Sequence, residues 1–115
     1  MIRFEAQLVE TPAKAAAIAA DIAASYKKVG VIQDSTAPFQ AAFPAGSLGT
    51  SSFVGAFNVS SPERPCRAVA SGAVSRVVFL AYLNTTRCDK SHSIETASFV
   101  RFSVQTLQTL ATQTR

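Results

Sequence analysis

Tryptophan is absent from this 115-residue chain, histidine and methionine occur once each, and cysteine and tyrosine occur twice. A structural zinc site closes with four nitrogen or sulfur ligands, more than the two cysteines and His92 supply. Charge is also scarce: charged residues make up 16% of the chain, against about 25% in ordinary soluble proteins. Apolar residues reach 48%, which excludes the low-hydrophobicity, high-charge signature of disorder. Long apolar runs are missing too. The longest, Val77 to Leu83, falls far short of the ~20 residues of a membrane span. The opening MIRFEAQLVE carries Glu5 and Glu10 and has no uninterrupted apolar stretch, so it does not read as a signal peptide. A chain of this length is one domain. It buries about two-thirds of its unfolded surface, enough for a core without metals or disulfides.

Small residues fill the space that charge leaves. The chain holds 20 Ala, 13 Ser and 10 Thr. A weakly charged surface of small side chains is poor at keeping copies apart, although a GC-rich coding bias gives the same composition. The net charge of +4 is unevenly placed. Residues 1–59 carry four basic and four acidic residues. Residues 60–115 carry seven basic and three acidic, and six of the seven are Arg. Arginine's planar fork suits phosphate and carboxylate, so the asymmetry points to a polyanion partner. A solvated basic face is the plainer reading.

Residues 2–9 alternate apolar and polar, the pattern of a half-buried strand. Thr11-Pro12 is a helix start. The Ala-rich segment from Ala13 to Lys28 predicts a helix with Ile18, Ile22, Tyr26 and Val29 near one stripe, Lys27 and Lys28 in the last turn, and Gly30 as its stop. From Val31 to Ser75 prolines and glycines punctuate short apolar runs. Phe39, Ala41 and Phe43 alternate, as do Phe53, Gly55, Phe57 and Val59, which predicts short strands joined by turns. Residues 44–52 read as a flexible polar loop, and residues 61–65 as another. Val74 to Thr86 is the strongest strand. It is apolar on both faces, as in a central strand or one covered by a partner chain. After a polar turn at 87–93, a stripe of Ile94, Ala97, Val100, Val104, Leu107 and Ala111 favours a helix, with Ser93 as cap. Val100, Phe102 and Val104 also fit a strand.

Catalytic chemistry is hard to find. His92 sits between Ser91 and Ser93 without a partner at useful spacing, and the glycines at 46 and 49 do not match a phosphate-binding loop. No catalytic residue, metal site or cofactor is expected. Cys66 and Cys88 are either free thiols or a disulfide, within one chain or between copies. Their neighbours Arg67 and Arg87 would make free thiols more reactive. The triplets beginning at Asn58 and Asn84 match a glycosylation pattern by chance. If the strands bearing Arg67 and Arg76 adjoin the turn with Arg87 and Lys90, a basic stripe crosses one sheet face and binds phosphates without reading sequence.

The run Val77–Thr86, the turn Arg87–Ser93 and the following Ser93-Ile-Glu-Thr-Ala-Ser-Phe-Val-Arg resemble the coat proteins of single-stranded RNA bacteriophages, where a long apolar strand leads through a polar turn into an amphipathic helix. Size and the Ser/Thr/Ala-rich, lightly charged composition are similar as well. The likeness covers about a third of the chain, and the helix at 13–28 departs from the family pattern. What it implies is a dimer whose helices interlock over a joint sheet, with RNA on the sheet's inner face.

These readings combine into an α+β fold, an antiparallel sheet carrying the N-terminal and C-terminal helices on one face. The expected function is that of a non-enzymatic structural subunit partnered by its own copies as a homodimer or larger assembly. Its most concrete form is a viral coat protein contacting RNA through Arg67, Arg76, Arg87 and Lys90, located in a virion or the cytoplasm and not in a membrane. The alternative is a small ligand-binding domain or enzyme with an apolar pocket between helix and sheet, where Tyr82, His92 and Asp89 would be the polar groups.

Overall fold

The computed structural model describes residues 2–29, 40, 43, 46–58, 66–85 and 93–113. The alternating opening forms strand β1 (Ile2–Leu8). Helix α1 (Pro12–Val29) follows at once. Its start is fixed by the expected cap: Lys14 N–H donates to Thr11 Oγ1 at 3.1 Å. Three strands come next, β2 (Thr50–Asn58), β3 (Cys66–Val74) and β4 (Val77–Thr85), and then helix α2 (Ser93–Gln113). All pairings between strands are antiparallel, in the order β1-β4-β3-β2. Consecutive strands β1 and β2 therefore occupy opposite edges, and the chain between them crosses the whole sheet.

The class, the antiparallel sheet and both helices are as the sequence implies. The placement of the helices differs: they cover opposite faces. Residues pointing to one side of the sheet, Val78, Val69, Phe53, Phe57 and Ala73, pack with Ala15, Ala19 and Ala23 of α1. Those pointing to the other, Phe79, Ala81, Leu83, Ala68, Ala70 and Ala56, pack with Phe99 and Leu107 of α2. The reason lies in β4. It is central and apolar on both faces, so a single layer of helix would have left one face wet.

Alanine sets the fit of α1. Ala15, Ala19 and Ala23 form an i, i+4 row that is buried, with Ile18 and Ile22 half-buried beside it. Helix α2 is rotated relative to the expected stripe. Its contact row is Phe99, Ser103, Leu107 and Ala111, all buried, and Val100 and Val104 flank it. A serine in the middle of that row hides the periodicity.

Two glycines hold a turn against the α2 face. Gly46 and Gly49 have φ of 75° and 74°, and Gly49 N–H donates to Gly46 C=O at 3.2 Å. Leu48 between them is buried in the core. It lies so close to β3 that a Cβ on Gly72 would fall 2.1 Å from its carbonyl oxygen. Of the segment expected to be a flexible polar loop, residues 46–49 are thus a pinned turn and residues 50–52 open strand β2. The expected alternating strand at Phe39, Ala41 and Phe43 lies largely outside the described residues.

Candidate functional site

Arg67 lies near the start of β3, and strand alternation places it on the α1 face. Its register partner on β4 is Asn84, and Arg67 Nε donates to Asn84 Oδ1 at 2.8 Å. Tyr82, two residues earlier on β4, shares that face. The guanidinium carbon sits 4.6 Å from its ring centroid, a cation–π contact. Tyr26 closes the cluster from α1, stacked at 5.6 Å on Phe53 and tilted at 5.7 Å against Phe57. Burial pushes the Tyr26 phenol above its ordinary pKa. Arg67 pulls it back, and Glu5 and Tyr82 push it further up. The last turn of α1, with Lys27 and Lys28, extends from the same end.

Arg67 is half-buried, and no carboxylate stands within ion-pair distance of it among the described residues. Its Nε is committed to Asn84 and its face to Tyr82. Side chains fix the direction of the fork, and among the described residues no carboxylate compensates its charge. A guanidinium held in this way can receive an anion such as a phosphate oxygen.

Arg76 is elsewhere. It sits in the two-residue turn between β3 and β4, and its carbonyl accepts from Val9 N–H at 2.9 Å. Seven strand steps separate Arg67 from Val74, roughly 23 Å at 3.3 Å each. Arg67 and Arg76 therefore stand at opposite ends of β3 and do not form a stripe across one face. Arg76 instead borders a surface hollow of about 400 Å³ together with Gln7, Leu8, Glu10 and Lys14. Arg87 and Lys90 lie outside the described residues, as do Cys88, Asp89 and His92. Cys66 is buried and disulfide-bonded.

The contact between α1 and the sheet is filled: Ala15, Ala19, Val69 and Ser71 have no exposure. A groove of about 280 Å³ runs beside that contact, where α1 leaves β1 uncovered. Glu5, Gln7, Ile18, Ile22, Val78 and Leu80 line it. Among the described residues no group of three His, Cys, Asp or Glu comes together to hold a metal. No described helix is long and apolar enough to cross a membrane. Neither a known protein family, nor a curated protein, nor a solved structure matches the chain.

Sequence reasoning named Arg67 but missed its setting. Tyr26 read as a helix-stripe residue and Asn84 as part of a chance triplet. Tyr82 and Asn84, two residues apart on β4, share a face. What brings Arg67 to them is the register of β3 against β4, which no local pattern states.

Proposed function

We propose that this chain is a non-enzymatic structural subunit that self-associates, most concretely a viral coat protein with a basic face contacting RNA. The observation that carries the reading is the incomplete cover of the α2 face. Helix α2 lies over β3 and β4 and meets β1 at the half-buried Phe4, while Ala6 and Leu8 on the same side of β1 stay exposed. Leu8 is 54% exposed and Phe102 44%, and both stand on the α2 side beside Phe4 and the exposed Ala6. Single exposed apolar side chains are ordinary; an open apolar strip along one margin of a sheet is a site for association.

The RNA arm of the proposal rests on Arg67, oriented by Asn84 and Tyr82 and without a carboxylate partner among the described residues. Lys27 and Lys28 at the same end add charge. Arg87 and Lys90 belong to the proposed basic set, and Arg76, at the far end of β3, would touch RNA separately from Arg67. Contacts of this kind neutralise phosphates, so binding falls steeply with salt.

Light scattering on a sizing column, with absorbance at two wavelengths before and after nuclease, tests both arms. The expected result is a particle larger than one chain with excess absorbance that nuclease removes. A monomer at all loading concentrations, free of nucleic acid, overturns the proposal.

A further inference from the structure

The sheet has two margins, and they are finished differently. On β2 a bulge interrupts the pairing between Thr50 and Phe53, Ser51 has φ of 53°, and Gln40 Nε2 donates to the Val54 carbonyl at 3.1 Å. Bulges and covering groups of this kind stop an edge from accepting another strand. Among the described residues β1 carries no such device. Its seven residues run against β4 in unbroken register. Val9 N–H donates to the Arg76 carbonyl. By alternation, the peptide groups of Arg3, Glu5 and Gln7 face β4, and those of Phe4, Ala6 and Leu8 point outward. The side chains along this edge are open: Arg3 is 64% exposed and Glu5 54%.

We infer that β1 is the surface through which two copies of the chain meet. The partner is β1 of a second copy, running antiparallel, so that two four-stranded sheets become one. This rests on the self-association reading above and adds its surface and register.

Charge selects the register. Arg3 and Glu5 sit two residues apart on the α1 face, 3.4 Å from each other across Nε and Oε1. A two-fold axis through Phe4 sets each Arg3 opposite Glu5 of the second copy, twice over. The outward peptide groups of Phe4 then bond reciprocally, and the Arg3–Glu5 positions become non-hydrogen-bonded pairs, with Cα atoms about 4.5 Å apart. An axis through Glu5 would oppose two carboxylates, and one through Arg3 two guanidiniums. Like charges placed directly opposite are destabilising. The apolar side agrees. Phe4 stacks on Phe79 at 5.8 Å and meets Phe102 edge-on at 6.2 Å. The axis through Phe4 brings two such aromatic groups together and covers Phe102.

The test is a dilution series of the full chain by sedimentation or light scattering, with circular dichroism verifying that each variant is folded. Arg3→Glu replaces both attractions with repulsions and is expected to weaken association about tenfold or more, roughly 1.4 kcal/mol. Arg3→Glu with Glu5→Arg restores it to within about threefold, because the two charges have only exchanged places. Ala6→Pro deletes an outward N–H while leaving the bonds to β4 in place, and also weakens association. Glu5→Gln weakens it in the register centred on Phe4 and would tighten it in the one centred on Glu5, so tightening overturns the assignment. If the wild type associates and Arg3→Glu associates equally well, the β1 edge is wrong and the self-association reading stands. If the wild type is monomeric throughout, both fall.

Discussion

Ser103 offers the sharpest test of how the core is built. Its side chain has no exposure, and its Oγ is buried without a hydrogen-bond partner. It occupies the middle of the row by which α2 touches the sheet, between Phe99 and Leu107. A buried hydroxyl without a partner costs about 1–3 kcal/mol in lost hydration. Ser103→Ala removes that cost and gains up to about 0.5 kcal/mol of helix propensity. Against this stands the loss of a few oxygen contacts at ~0.1–0.2 kcal/mol each. The expected net is a stabilisation of about 1–2 kcal/mol, which at this chain length raises Tm by roughly 4–8 °C. Thermal unfolding followed by circular dichroism at one fixed protein concentration reads it, since association would otherwise add its own contribution. A Tm lower than wild type by more than ~2 °C would refute the reasoning, because it would mean that the hydroxyl is satisfied.

Ser71, equally buried and unpartnered beneath α1, repeats the experiment without the helix gain: Ser71→Ala should stabilise by about 1 kcal/mol, and a loss in urea unfolding would count against it. Gly72→Ala drives a methyl into the Leu48 carbonyl and against Phe79, for an expected cost of about 1–3 kcal/mol in the same assay; an unchanged midpoint would mean that the turn at 46–49 yields freely. Tyr26 has a folded pKa raised by burial, so the stability linked to its neutral form is complete below the unfolded value, about 10, and is lost as pH rises through the folded value. Tyr26→Phe should therefore carry the alkaline unfolding edge to higher pH, and an unmoved edge contradicts the assignment. Arg67→Ala should lower RNA retention and flatten the salt dependence by about one phosphate contact; identical slopes would remove Arg67 from the RNA-contacting set.

Much of the fold was readable because local chemistry and tertiary demand agree. The alternation of β1, the Thr11-Pro12 start of α1 and the two-sided apolar run of β4 each name one element and one environment. Elsewhere the signal was diluted. Ser103 breaks the apolar row of α2, and β3, made of small residues such as Ala68, Ala70 and Gly72, has too little contrast between its faces to announce a strand. The two-sidedness of β4 is legible in the sequence; which face each helix takes is not, because it depends on how the chain crosses the sheet. Of the candidate site, Arg67 stood out by charge. Its union with Asn84 and Tyr82 depends on the pairing of strands 17 residues apart, which lies beyond any short-range pattern.

The strand order has a consequence for how the chain comes together. Ile2 is paired with Leu83, so on the ribosome β1 waits until some 80 further residues have been made. The β3–β4 hairpin, closed by the two residues Ser75 and Arg76, needs no such wait and forms in microseconds once synthesised, ~1–10 μs for hairpins in general. Pulsed hydrogen exchange during refolding should find β3 and β4 protected first and β1 last. The earliest-made strand of the sheet is thus the one whose partner is made last, and until β4 is complete its apolar residues Phe4 and Leu8 have no strand to pair with.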